Sequence, residues 1–422
     1  MTGYQKANDF RIDAIDLILD SGDRVSLLDL FVNIRIHQDM FINPSMYCVI
    51  RIADALDLYS SLPIKNNETL DLQFRSPDNE QVELKMRLFS RENVLLSENG
   101  KTTYYDLKFI SPESIRNTEI KDSRSYTGTV SDIAGSVWSK HFAESKPLNR
   151  EQTEGEYTVV LPFNNPFAHI KSLAKKSERS ANPDDCNFFF FETFDGWNFV
   201  SAGNLLTQDN VRGYYSWTVE DPLRSKIAEG EDTTTSRYRI QELTFVGKEN
   251  YLDETVNGVY SGLLQNTTLK EKKTEKVEYT YDEAFNSTSH ANQNPLTSKS
   301  IYQSASPLSN FSHGYNGIFP GEIEMKRRSQ INALLNKRIR FVVAGNSSTN
   351  IGDKIKVEVA KQSGEGTGEI IDRYRSGFYI VTSVKHQITK GVGYTMTVEA
   401  CTDSYSKAIP EVSSFTVDDY PS

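Results

Sequence analysis

Apolar and polar residues alternate with a period of two through much of the chain, most clearly between Asn350 and Tyr405. Ile355, Val357 and Val359 alternate with Lys356, Glu358 and Ala360. Phe378, Ile380, Thr382 and Val384 alternate with Tyr379, Val381, Ser383 and Lys385. Tyr394, Met396, Val398 and Ala400 alternate with Thr395, Thr397, Glu399 and Cys401. This period predicts antiparallel strands with one buried face, in a closed or nearly closed sheet. Turn chemistry separates the strands at Gly352-Asp353, Ser376-Gly377 and Gly391-Val392-Gly393. The amino-terminal part repeats the pattern. Phe10, Ile12 and Ala14 lead, with a shift towards Ile15 and Leu19; Leu30, Val32, Ile34 and Ile36 follow, then Tyr47, Val49, Arg51 and Ala53. Residues 68–74, 82–90 and 103–110 bring this group to about six strands, the size of a small barrel.

Between these groups the period changes. Val130, Ile133, Ala134, Val137 and Trp138 recur at helical spacing within 127–142, with Thr127 or Thr129 placed to cap the helix. A second helix is predicted from Pro166 to about Arg179 through Phe167, Ile170, Leu173 and Ala174. CNFFFFETFDGWNFVS reads as two strands joined at Asp195-Gly196. One more strand is expected within 236–247. Residues 253–321 carry a charge run and then an Asn- and Ser-rich run, with one strand candidate at Val277–Tyr281. Helical spacing returns over Glu322–Arg340.

The predicted fold class is α+β and β-rich: two antiparallel β-barrels, a mixed α/β middle domain and an inserted domain. The expected boundaries are 1–115 for the first barrel and 116–207 for the middle. Segments 208–250 and 323–406 make the second, discontinuous barrel, 251–322 the insertion and 407–422 a polar tail.

A length of 422 residues, 37% hydrophobic and 25% charged, is enough for two to four packed cores. The formal net charge of −10 excludes a general nucleic-acid binder, which needs a basic face. It is compatible with the wall of a passage to which DNA does not stick. Cys48, Cys186 and Cys401 are far apart and odd in number, which argues against a disulfide framework and against a zinc site. The first residues lack an apolar signal core, and no apolar run is long enough to span a bilayer, so a soluble, cytosolically made protein without membrane insertion is expected.

Chemistry is sparse. His37, His141, His169, His290, His313 and His386 show no metal-ligand spacing, and His386 reads as a surface or barrel-lining residue. Gly345–Lys354 looks superficially like a phosphate loop, but its glycine spacing is wrong and Asp353 stands where a lysine should follow. Gly364 to Gly368 is a hairpin loop with no helix after it. Asp184-Asp185 and Asp418-Asp419 read as solvated surface carboxylates. The sharpest charge feature is Lys326, Arg327, Arg328, Lys337, Arg338 and Arg340, read either as a solvated helix face or as a contact for an acidic surface. No catalytic residue, cofactor-binding residue or metal ligand is assigned, and no cofactor is called for.

Three blocks carry a resemblance: NPSMYCVIRIADALDLYSSLPIKNNETLDLQF, then PFAHIKSLAKKSERSANPDDCNFFFFETFDGWNFVS, then NIGDKIKVEV with SGFYIVTSVKHQI and YTMTVEACTDSY. In that order they resemble the central baseplate hub family of contractile-tailed bacteriophages. The resemblance implies a non-enzymatic homotrimer with two tail-tube-like barrels per chain, forming a pseudo-six-fold ring. The ring would join the six-fold tail tube, or a tube-initiator protein, to the three-fold central spike. Baseplate wedge and tape-measure proteins are the other implied partners, and viral DNA would pass through the lumen unbound. The insertion would lie at the spike end, and the location would be the virion baseplate after assembly in the host cytoplasm. The alternatives are the hub of a related contractile injection system, a tail-associated carbohydrate-binding module, and a peptidoglycan hydrolase for which the sequence supplies no residues. Trp138, Trp197 and Trp217 sit in core patterns, against the carbohydrate reading.

Overall fold

The computed structural model describes residues 7–61, 64, 67–77, 81–98, 100–217, 237–247, 258–268, 273–296, 306–312, 321–360, 371–372 and 374–407. Gly364 to Gly368, His313 and Asp418-Asp419 lie outside them, as do nearly all of the expected polar tail and much of 251–322.

The chain begins with seven strands: β1 (Arg11–Ile18), β2 (Arg24–Ser26), β3 (Phe31–Asp39), β4 (Tyr47–Asp54), β5 (Thr69–Arg75), β6 (Gln81–Leu96) and β7 (Thr103–Ile110), with the short α1 (Leu58–Ser61) after β4. A mixed stretch follows: α2 (Pro112–Glu119), β8 (Asp122–Gly128), α3 (Val130–Phe142), β9 (Leu148–Arg150), β10 (Tyr157–Asn164), α4 (Pro166–Ala174), β11 (Phe188–Glu192), β12 (Trp197–Ser201) and α5 (Ala202–Leu206). Then come β13 (Gly213–Trp217), β14 (Glu242–Phe245), β15 (Ser261–Thr268), β16 (Lys273–Thr280), α6 (Tyr281–Phe285) and β17 (Ser306–Ser312). The last described elements are α7 (Gly321–Asn336), β18 (Lys337–Ala344), β19 (Lys354–Val359), β20 (Gly377–Thr389) and β21 (Gly393–Thr402).

Thirteen strands from the two ends of the chain form one sheet, in the order β14-β18-β21-β20-β3-β4-β7-β6-β5-β1-β2, with β19 also on β20 and β13 on β19. The β-rich α+β expectation is met. Among the described residues, however, neither strand group closes on itself through hydrogen bonds. Instead β3 and β20 pair antiparallel, from Ser383 opposite Asp39 to Thr389 opposite Asn33. A single apolar core runs beneath both groups, from Ile15, Ile50 and Phe109 to Val357, Tyr394 and Val398.

The alternation holds with informative exceptions. On β19 the buried residues are the expected ones, and on β21 they are up to Ala400, after which Cys401 and Thr402 are buried as well. On β1 the expected shift is a β-bulge between Ile12 and Ala14, after which Ile15 and Leu17 are buried. On β20 a bulge between Val381 and Ser383 resets the pleat. Before it Tyr379, Ile380, Val381 and Thr382 are all buried, and after it Val384, His386 and Ile388 are buried in alternation with half-buried neighbours, so the single unbroken alternation read from the sequence is corrected. On β4 the core side is Cys48, Ile50 and Ile52, not the Tyr47–Arg51 side, because Arg51 is turned out to meet Asp106.

In the mixed stretch, Thr129 accepts from the Asp132 N–H and caps α3, and Asn165 accepts from the Ala168 N–H and caps α4. Their apolar faces pack with Phe188, Phe190, Trp197 and Phe199 in a second core. The Phe190 and Trp197 rings stack at 5.0 Å. The expected hairpin forms as β11–β12, with β9 added in parallel. Two expectations change further on. The insertion holds three strands, not one, in the order β16-β15-β17. The helix expected to reach Arg340 stops at Asn336, because the alternation of Ile339, Phe341 and Val343 commits 337–344 to β18.

Candidate assembly surfaces

The residues that drew attention as candidate chemistry are mostly internal fasteners. The Gly345–Lys354 loop is a tie between strand groups. Ser347 Oγ lies 2.7 Å from Ser76 Oγ, and Asn350 Oδ1 accepts from Gln38 Nε2 at 3.1 Å and from the Phe194 N–H at 3.3 Å. Its oxygens and N–H groups are therefore used within the fold, which leaves no cradle for a phosphate. His386, expected at the surface or lining a barrel, is instead wholly buried beside the Tyr394 hydroxyl at 2.7 Å, and burial pushes its pKa down to about 3. His37 stacks on Tyr47 at 4.4 Å; burial, then Lys385 and Arg35, lower its pKa to about 4. His169 contacts the Pro162 carbonyl, His141 lies 3.3 Å from Asp122, and His290 lies 2.7 Å from Asp403. Among the described residues these histidines do not converge, and no cluster of three or more His, Cys, Asp or Glu is placed to hold a metal ion. Cys48, Cys186 and Cys401 are buried free thiols, and burial raises each pKa, that of Cys401 to about 12.

The acidic pair at 184–185 is not solvated surface as expected. Asp184 holds Lys326 at 2.8 Å, and the buried Asp185 holds Arg179 at 3.2 Å and accepts from Ser289 Oγ at 2.7 Å. The basic cluster is split between α7 and β18 and partly spent. Lys326 is paired to Asp184, Arg340 to Glu399, and Lys337 is buried with its ammonium 4.2 Å from the Tyr405 ring.

Two charged nests the sequence did not announce brace the fold. Asp106 meets Arg51 at 3.0 Å, Arg35 at 3.7 Å and Asn93 at 2.7 Å, fastening β3, β4, β6 and β7. Glu192, fully buried at the end of β11, accepts from Lys146 and from the Met46 N–H, both at 2.9 Å, and from Ser111 Oγ. Burial raises its pKa, and Lys146 opposes the rise. This joint bolts the mixed stretch to the start of β4.

Unspent apolar surface is concentrated at a few places. Beyond Ser90, β6 runs on with Val94, Leu95 and Leu96 exposed, the last 70% accessible. The two-stranded β8–β10 ribbon exposes Val160 and Phe163. Exposed apolar side chains on an open sheet margin are the features that pair with other chains. The sequence reading ended the strand at residue 90 and missed these positions; the signal was the apolar triplet Val94-Leu95-Leu96 within a polar surround. Trp138 and Trp197 are buried and Trp217 is partly buried, so no tryptophan platform for sugar is exposed.

No protein-family model matches the sequence, and no curated protein matches it. Solved structures do match. The tail protein from Neisseria meningitidis MC58 aligns over 94% of this chain and 97% of its own, with a TM-score of 0.58 at 12% identity. The chain has the fold of a tail protein. The 43 kDa tail protein of prophage MuSo2 from Shewanella oneidensis aligns over 93% and 98%, with a TM-score of 0.53 at 10% identity. This tail-protein fold agrees with the resemblance carried by the three sequence blocks. No helix among the described residues is long and apolar enough to cross a membrane.

Proposed function

We propose that this chain is a structural, non-enzymatic component of a phage tail: a hub whose three copies form a ring between the tail tube and the central spike. The observation that carries the reading is the end-to-end match to the Neisseria tail protein, which takes in nearly all of both chains. The internal organisation supports it. Two strand groups per chain give six in a trimer, the number a ring needs to face a six-fold tube while keeping three-fold symmetry towards a spike. Most of the side chains that sequence chemistry singled out, Asp184, Asp185, Lys326, Arg340 and His386 among them, are spent on internal contacts, which suits a structural part. In this reading β15–β17 and their surroundings face the spike, wedge proteins bind the periphery, and the net charge of −10 keeps DNA from adhering to the lumen.

The test is the solution mass by light scattering across a concentration series, followed by class averages of negatively stained particles. The expected result is three times the chain mass of 47.8 kDa and a three-fold annulus with six lobes. A monomer at every concentration, with no annulus when the tube and spike proteins are added, overturns the proposal.

A further inference from the structure

One groove carries positive charge that its own acids do not answer. It holds about 550 Å³ where the loop after β3 meets α4, α7 and the outer face of β18, β20 and β21. Four cations line it: Lys171 on α4, Lys175 at the end of that helix, Arg327 on α7 and Arg338 on β18. Two carboxylates line it as well, and both are engaged. Asp39 accepts from the N–H groups of Phe41 and Ile42 at 2.9 and 2.6 Å, and Glu399 accepts from Arg340 at 2.7 Å. Among the described residues none of the four cations forms an ion pair, and the Nε atoms of Arg327 and Arg338 are buried without an acceptor. Burial lowers the pKa of Arg327, with Glu324 opposing, and that of Lys171, with Lys175 adding to the effect. A buried guanidinium N–H without an acceptor is costly, and a carboxylate matches its planar fork. The rest of the lining includes apolar Phe189 and Leu335, and Ile42 in the wall is 84% accessible.

We propose that this groove binds an acidic segment of another protein, which sets a pair of carboxylates against Arg327 and Arg338 and an apolar side chain on Phe189 and Leu335. Capture of acidic motifs by clustered arginines is a recurring mode of peptide recognition. The apolar lining favours a peptide over other anions, because inorganic phosphate would leave Phe189, Leu335 and Ile42 uncovered. A nucleic acid needs a basic face that tracks its backbone, and a chain with a net charge of −10 offers four cations in one groove instead. The walls come from both ends of the chain and from the middle stretch, so one bound segment would touch all three. The inference does not rest on the hub reading.

The experiment uses the full chain and a set of fluorophore-labelled, end-capped hexapeptides that hold two aspartates and one phenylalanine in every order among glycines. Binding is read by fluorescence anisotropy. The expected result is that the best of the set binds at least tenfold tighter than its version with asparagines for the aspartates, and at least tenfold tighter than its version with glycine for the phenylalanine. Arg327→Gln with Arg338→Gln should weaken binding about tenfold, as should 1 M salt. Ile42→Asp should weaken it to a similar degree, and because that side chain is exposed the variant keeps the core intact. No binding by any member of the set up to about a millimolar, the weak end of useful affinity, overturns the proposal. So does equal binding of the asparagine version, or binding that survives in both variants. Tighter binding of a single-stranded oligonucleotide of equal charge would make the groove a nucleic-acid surface. Self-association that the variants abolish, with no peptide bound, would make a second copy the occupant. Either of these also overturns the proposal.

Discussion

His386 shows how a single buried group sets a condition on the whole fold. Its ring is enclosed between Phe194, 5.1 Å away, and the Tyr394 hydroxyl, with no water-facing route for a second proton. Its pKa lies near 3 in the folded chain against an ordinary 6.5. Between those values the unfolded chain binds the proton that the folded chain refuses. The contribution to stability is therefore complete above about pH 6.5 and is lost as pH falls towards 3. The full difference is on the order of 5 kcal/mol, from about 1.4 kcal/mol per unit. His37, lowered to about 4, acts in the same direction. His386→Gln can keep a hydrogen bond to Tyr394 without titrating. Its melting temperature should fall less steeply between pH 6.5 and 4, by a slope worth roughly one proton. Parallel curves for the two proteins would show that His386 is not the acid-sensitive group.

At the scale of elements, close approach matters as much as pattern. A Cβ on Gly345, where β18 runs into the tie loop, would stand 2.1 Å from Cγ of the fully buried Tyr394 ring. Neither the ring nor the strand has room to yield, so Gly345→Ala should cost at least about 2 kcal/mol in denaturant unfolding; a loss under 0.5 kcal/mol would mean that the strand end relaxes freely. The same elements show what could be read in advance. β19 and β21 were legible because their alternation runs unbroken through Val359 and through Ala400. β20 was legible as a strand, but its inward face was not, since a bulge is a backbone event with no residue signature here. β15 and β17 were missed because Asn, Ser and Thr are frequent in them, and the pairing of β15 with both β16 and β17 supplies what intrinsic preference does not. The basic cluster was half legible: its residues stood out in the sequence, but only the fold shows that Lys326 and Arg340 are taken up by Asp184 and Glu399.

For the molecule as a whole, the proposed assembly needs an exposed apolar surface that can meet another chain. The end of β6 is the prime candidate, because Leu95 and Leu96 are exposed where that strand is paired only to β7. Replacing both with Glu should leave the melting temperature of the isolated chain almost unchanged, within about 0.5 kcal/mol of stability. It should also lower the assembled mass in the light-scattering series. A double variant that assembles like the parent would move the contact elsewhere, with Val160 and Phe163 next in line. The pairing of Phe31–Asp39 with Gly377–Thr389 carries a further consequence. It leaves no swivel between the front and rear of the polypeptide, because turning one against the other would shear a ladder of seven residue pairs and tear the core beneath. A push received at one margin of this sheet is therefore passed to the opposite margin as rigid displacement of the whole paired unit rather than as a hinge motion.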